Sequence, residues 1–377
     1  MILTRLISLS PITLYDTILK AEIGESMSSR RTCKTCGVPL KFGRDHSWNS
    51  DGTITQRRDP DHRMILFDSE GIDTLFSNIE SIIGMPLEKI IIESKARATK
   101  EYIAQQIIGL KGSFARLVGI DRIVRMVVEQ GRLLGYGDII VHDFDWKGGT
   151  MRCEIGNPYS LPLFCGDLLG SLEAIRKLAG ACSYEETGPD RYMINTYAAE
   201  HAPELQDRLL PRMPPRKEGD IQHELCPGCK APRQVSRYKW DLDAGTIKDS
   251  ETDMRLALFG PVGLQVIFEE LSSELGDAIP ETIVEAQRQI VSKKLDLTWN
   301  LNEPDVMSKW LSIQGMGHLV EMTPSESGIL IRIENAAVPL VLVGNALGIF
   351  EAYSKVKGAA EWEISPDGDL TIRLSAA

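Results

Sequence analysis

Two Cys-x-x-Cys pairs, Cys33/Cys36 and Cys226/Cys229, are the residues of this chain best suited to chemistry. Thiolate sulfur is a soft ligand, and four thiolates complete a closed tetrahedral zinc site. Each pair alone is half of one. The simplest complete site joins both pairs at one shared metal, which is then structural, because four thiolates leave no open position for a substrate. Two other arrangements use the same residues. Each pair could hold its own zinc, with His46 or His62 completing the first and His223 the second. Against this, Lys239 and Asp253 or Met254 stand near where second-copy partners of His46 and His62 would fall. The pairs could instead be redox dithiols. Cys226-Pro-Gly-Cys229 has that form, but no β-α-β thioredoxin pattern surrounds it.

The two pairs open the same stretch of sequence. Cys33 to Cys226 is a shift of 193 residues, as is Gly52 to Gly245. At a shift of 192, Arg63 meets Arg255, Phe67 meets Phe259, Gly71 meets Gly263, Gly84 meets Gly276 and Glu93 meets Glu285. Gly135-Tyr136-Gly137 then meets Gly315-Met316-Gly317 at 180, and Gly166, Gly170 and Glu173 meet Gly344, Gly348 and Glu351 at 178. A period this long suits two whole domains and is too long for a solenoid. Two tandem, pseudo-twofold-related repeats are therefore expected. Residues 1–30 are a preface, 31–200 the first repeat, 201–225 a Pro-rich linker and 226–377 the second repeat.

The elements within each repeat follow from periodicity. Residues 33–58 and 226–250 read as a zinc knuckle with a hairpin, Asp51-Gly52 giving the turn signal. Leu75, Phe76, Ile79, Ile82 and Ile83 share one helical face, as do Leu264, Ile267, Phe268, Leu271 and Leu275. Further helix is expected over 86–107 and 279–293. After each Gly-x-Gly the period changes to strands, at Asp138–Phe144 and Met151–Ile155, then at His318–Met322 and Ile329–Ile333. A helix follows at 163–177 and 341–354. A closing hairpin or strand ends each repeat, with Tyr184 and Trp362 in equivalent places. The fold class is α+β, with the α+β bodies at 70–198 and 262–375.

The 377 residues, 43% hydrophobic, can bury two cores, and a formal charge of −11 disfavours nucleic acid as a partner. Seven cysteines, four of them in Cys-x-x-Cys pairs, fit metal binding in a reducing, cytoplasmic compartment. No run reaches the roughly 18 apolar residues of a membrane span. Arg5, Pro11 and Asp16 interrupt the apolar N-terminus, which reads as a packed helix or strand and not as a signal peptide.

Other candidate positions are weaker. Cys153, Cys165 and Cys182 face Ile331, Val343 and Ala360 in the second copy, which favours buried apolar roles over a one-sided reactive or metal site. The Gly-x-x-x-Gly pairs read as close helix packing, with a ligand on the bare face as the alternative. Gly135-Tyr136-Gly137 precedes a strand and is no dinucleotide fingerprint. Arg63/Arg255 and Glu93/Glu285 are duplicated charges with no chemistry of their own in the sequence.

Gly135-Tyr136-Gly137-Asp138, the strand MRCEIGN and LPLFCGDLLGSLEAI, ending in CSYEE, resemble the 4-vinyl reductase / hydrocarbon-binding family. In the second copy the resemblance rests on GMGHLVEM, ILIRIEN and VLVGNALGIFEAY. It implies an α+β domain related to trafficking-complex (TRAPP) subunits, with a hydrophobic cavity between helices and sheet. It also implies a role as a small-molecule sensor or accessory protein near tetrapyrrole or aromatic metabolism. The family pattern has a late cysteine pair, of which only Cys182 is present here. The expected function is a zinc-stabilised protein that holds a small hydrophobic ligand or docks on a partner, as monomer or homo-oligomer. An enzyme or enzyme subunit acting on an aromatic or tetrapyrrole substrate is the alternative.

Overall fold

The computed structural model describes residues 31–104, 120–145, 148–177, 179–199, 214–293, 303–325 and 328–377. The preface at 1–30 and the first part of the expected linker lie outside the described residues.

Among the described residues the chain is α+β with three antiparallel sheets. The first half begins with α1 (Leu40–Asp45), β1 (His46–Trp48), β2 (Ile54–Gln56) and β3 (Asp59–Asp68). It continues through α2 (Ser69–Ile83), α3 (Glu88–Ile103) and α4 (Ile120–Leu133). It ends with β4 (Asp138–Asp145), β5 (Thr150–Gly156), α5 (Leu161–Arg176), β6 (Gly180–Gly188) and β7 (Arg191–Ala198). The second half runs β8 (Tyr238–Asp241), β9 (Thr246–Asp249), β10 (Arg255–Phe259), α6 (Val262–Leu275), α7 (Ile279–Lys293) and α8 (Pro304–Gln314). β11 (His318–Ser325), β12 (Gly328–Glu334), α9 (Pro339–Ser354), β13 (Gly358–Ile364) and β14 (Leu370–Ala376) close it.

Local chemistry sets the helix ends. The Asp68 carboxylate accepts from the Glu70 N–H and caps α2, while Gly84 ends it in the left-handed region at φ 76°. Proline occupies the first turn of α5, α8 and α9, where its missing N–H costs nothing.

β3 joins the halves. Its C-terminal residues Ile65–Asp68 lie antiparallel to Leu256–Phe259 of β10, so one six-stranded sheet runs β1-β2-β3-β10-β9-β8. Leu66 pairs with Leu258, its match at a shift of 192, and the Phe67 and Phe259 rings lie 6.3 Å apart. The hairpin expectation stopped at residue 58 and did not include this strand. Residues 63–67 are buried without a break and Met64–Phe67 are all apolar, so the strand lacks the alternation of a half-exposed one.

The two remaining sheets have the same order, β4-β5-β7-β6 and β11-β12-β14-β13. Each sheet's leading loop is held by the opposite half. Gly137 donates its N–H to Gly245 O at 2.9 Å, and Gly317 donates to Gly52 O at 3.2 Å. Trp48 Nε1–H donates to Ile313 O, and Trp240 Nε1–H to Leu133 O. The guanidinium of Arg63 donates to Asn335 O, and that of Arg255 to the Asn157 and Pro158 carbonyls. The helices cross over too, α2 packing on α7 and α3 on α6, so each half builds part of the other's core.

The expected linker is not slack at its C-terminal end. Arg216 pairs with Asp51 at 3.0 Å, the Lys217 N–H donates to Asn335 Oδ1, and the Ile221 N–H to Ser50 O.

Gly52 and Gly245 sit at φ 76° and 62°, and a Cβ there would meet Gly317 O at 2.2 Å and Gly137 O at 2.0 Å. Nothing but backbone could yield. Gly245→Ala is expected to cost about 2–4 kcal/mol in urea unfolding, combining overpacking with left-handed strain. Gly84→Ala, at a similar φ with nothing within 4 Å, is expected to lose only the strain part, about 1 kcal/mol.

Candidate metal centre

Each cysteine pair sits on a tight backbone turn. The Cys33 N–H donates to Val38 O and the Gly37 N–H to Cys33 O. In the second half the Cys226 N–H donates to Ala231 O and the Lys230 N–H to Cys226 O. The residue after each pair takes a left-handed conformation, Gly37 at φ 80° and Lys230 at φ 70°. This fold of the turn aims amide N–H groups at sulfur, those of Thr35 and Cys36 at Cys33 and those of Gly228 and Cys229 at Cys226.

The turns meet face to face. Cys33 Sγ lies 3.6 Å from Cys226 Sγ, and Cys36 Sγ lies 3.5 Å from Cys229 Sγ. All four sulfurs fall within 4.8 Å of one another. A tetrahedron with metal–sulfur bonds of about 2.3 Å has sulfur–sulfur edges of about 3.8 Å. The thiols therefore stand close to the positions that one four-coordinate ion requires. Gly228 makes the approach feasible, since a Cβ there would lie 2.7 Å from Cys33 Sγ. Three of the four are fully buried and Cys36 is half-buried, so bulk water has little access to the centre.

The electrostatics differ within each pair. Burial opposes ionisation of Cys226, but the Cys229 and Gly228 N–H groups, with the neighbouring thiols, bring its pKa down to about 6. Cys33 is also lowered, its backbone donors outweighing burial. Burial raises Cys36 and Cys229. One sulfur per half is thus easier to ionise than its neighbour. A divalent cation at this point would supply the positive charge that lets all four ionise together.

No histidine joins this group. His46 is buried and turns Nδ1 to Phe42 O at 2.8 Å. The His62 ring stacks 4.2 Å from Tyr102, and His223 is held by the Asn49 backbone. Among the described residues the four thiols are the one cluster with metal-ligand geometry.

The remaining candidates have structural partners. Gly166 and Gly170 let α5 approach α3, where added Cβ atoms would meet Lys95 Cβ at 2.6 Å and Ala96 O at 2.2 Å. Gly344 and Gly348 do the same for α9 against α7. Glu285 pairs with Arg288, and Glu93 with Lys89. Cys153 and Cys165 are fully buried in the main core, while Cys182 packs at its edge.

Periodicity did not reveal a polar group inside the first half. The Lys95 Nζ lies 3.0 Å from Asp167 Oδ1. In the second half the matching residues are Gln287 and Asn345, whose amides bond at 2.7 Å. An ion pair on one side replaced by an amide pair on the other is a correlated change. Aligning the two halves position by position would have exposed it.

The double variant Cys226→Ser/Cys229→Ser is expected to lose the whole metal complement and not half of it, as read by elemental analysis. His46 supplies an acid test. Burial holds its pKa at about 4, below the ordinary 6.5, so the folded protein resists the proton that the unfolded chain accepts. Stability is complete above about pH 6.5 and falls as the pH drops through about 4, by roughly 3 kcal/mol in total. His46→Asn, whose amide can still donate to Phe42 O, is expected to flatten the unfolding free energy between pH 6.5 and 4.

No described helix is long and apolar enough to cross a membrane. The chain matches no family model, and no curated protein or solved structure is significantly similar to it.

Proposed function

We propose that the chain is a pair of tandem repeats about a pseudo-twofold axis, clamped by one structural zinc on Cys33, Cys36, Cys226 and Cys229. The whole would serve as a binding or accessory protein. Its cargo would be a small hydrophobic ligand, aromatic or tetrapyrrole-like, or it would dock on a partner enzyme. The observation that carries this reading is the four-thiol cluster, to which each half contributes two sulfurs. Matched residues also meet each other at Leu66/Leu258 and Phe67/Phe259, as they must on a twofold axis. Zinc suits four thiolates in a closed tetrahedron, and a closed site has no vacancy for chemistry. Free thiols throughout fit a reducing compartment such as the cytoplasm. The resemblance to the 4-vinyl reductase / hydrocarbon-binding family supplies the ligand class, and the TRAPP-like body is part of the same proposal.

The second reading, an enzyme or enzyme subunit, rests on the interaction of the Cys165 and Cys182 thiols within the first half alone. Replacing Cys153, Cys165 and Cys182 by Ile, Val and Ala separates the two readings. Unchanged function in that variant removes the enzymatic role of these thiols.

Native mass spectrometry of the intact chain is expected to give one zinc per chain, with a small apolar molecule co-purifying. Two zinc ions per chain, or substrate turnover by the purified protein alone, would overturn the proposal.

A further inference from the structure

The two halves differ most where α3 crosses α5. In the first half, the Asp167 carboxylate takes three donors: Lys95 Nζ at 3.0 Å, the Thr99 hydroxyl at 2.8 Å and the Tyr159 hydroxyl at 2.7 Å. The Tyr159 ring stacks on that of Tyr136, centroids 4.5 Å apart and planes 28° apart. Position by position, the second half has Gln287, Val291, Asn345, Ala337 and Met316 in place of Lys95, Thr99, Asp167, Tyr159 and Tyr136. The backbone arrangement survives there, with the Ala337 N–H donating to Met316 O as the Tyr159 N–H donates to Tyr136 O. The fold therefore does not need the charged pair or the stacked rings. A buried ion pair is weak evidence for stability, because desolvating two charges offsets their attraction.

The unspent hydrogen-bonding capacity of the group has a sign. Three donors meet the charge of Asp167. Lys95 has three ammonium hydrogens, and Asp167 accounts for one. The Tyr136 hydroxyl has no hydrogen-bond partner among the described residues, and the residue is half-buried. The Asp167 side chain is 18% exposed and that of Lys95 9%, so the group meets solvent at Asp167 and lies buried at Lys95. Spare donors select an acceptor-rich or anionic group, and a half-buried tyrosine ring offers stacking to a flat, unsaturated one.

We propose that the first half alone carries a binding site for a small planar carboxylic acid, its carboxylate on Lys95 and Tyr136 and its plane against the Tyr136 ring. This rests on reading the chain as a ligand-binding protein, and it narrows that reading to one site, one half and an anionic ligand. The second half would keep the scaffold and lack the site.

Titration calorimetry of the full, zinc-loaded chain with benzoate tests it, with benzamide as the neutral planar control and cyclohexanecarboxylate as the non-planar anion. The expected result is one benzoate per chain, bound at least ten-fold more tightly than either control. The double variant Lys95→Gln/Asp167→Asn and the single variant Tyr136→Met install residues that the second half already folds with. Each is expected to weaken benzoate at least ten-fold while metal content and melting temperature stay unchanged. Met316→Leu, at the second-half counterpart of Tyr136, is expected to leave binding unaltered. Two benzoates per chain, benzamide binding as well as benzoate, or full affinity in the variants would overturn the site. If benzoate fails to bind while an apolar molecule co-purifies, the site falls and the ligand-binding reading stands. If neither is found, both fall.

Discussion

The antiparallel pairing of β3 with β10 is the contact on which the rest of the molecule depends. It is four residues long in register, from Ile65 against Phe259 to Asp68 against Leu256, and it is buried. A strand pair fixes direction, spacing and register at once, because each ladder bond constrains the next. A one-residue slip would turn Leu66 and Leu258 out of their cluster. It would also move the cysteine turns that precede each strand out of line with one another. The four-thiol cluster thus depends on strand register, although its cysteines lie outside the strands. The converse holds as well: an ion binding four thiolates opposes any slip that parts Cys33 from Cys226.

Exchange between the halves makes this dependence mutual. The Trp48 indole reaches Ile313 O and the Trp240 indole reaches Leu133 O, so each hairpin seats on the last turn of the helix that leads into the other half's four-stranded sheet. α3 lies between α5 of its own half and α6 of the other. Neither half closes its core alone. Cooperative unfolding of the two halves as one unit is the physical consequence, since loosening either exposes apolar surface on both.

Much of this was legible in the sequence, for identifiable reasons. The cysteine spacing and the matched glycines are local patterns, and local patterns survive in one dimension. Helix boundaries came within a few residues because apolar residues recur at the helical period, as at Leu75, Phe76 and Ile79. The strand at Asp59–Asp68 was missed because unbroken burial over residues 63–67 erases alternation there. The exchange was not legible at all. Arg63 and Arg255 read only as duplicated charges, with nothing to choose between a structural pair and a solvated face, whereas each guanidinium serves carbonyls of the opposite half. Contacts between segments far apart in sequence leave no periodic trace. Lys95 and Asp167 were unremarkable for the same reason: each sits in a helix that reads as ordinary until the two are placed 3.0 Å apart.

The asymmetry between the halves is confined, and where it lies is informative. The Cys33/Cys226 and Cys36/Cys229 contacts and the paired tryptophan and arginine anchors occur on both sides. The helix contacts behind them do not match. Arg97 on α3 meets Glu270 on α6 at 2.5 Å, both buried. Their counterparts are Gln289 and Asn78, and Asn78 instead donates to Ala286 O. An ion pair at one crossing and an amide-to-backbone bond at the other cannot be interchanged without stranding a buried charge, at a cost of several kcal/mol. Each crossing therefore accepts one partner and rejects the other. On the proposed duplication, the two halves began with equal claims to each other's surfaces. Such a buried pair is one way a duplicated chain fixes which half sits where, leaving the first half free to keep polar groups that the second has replaced.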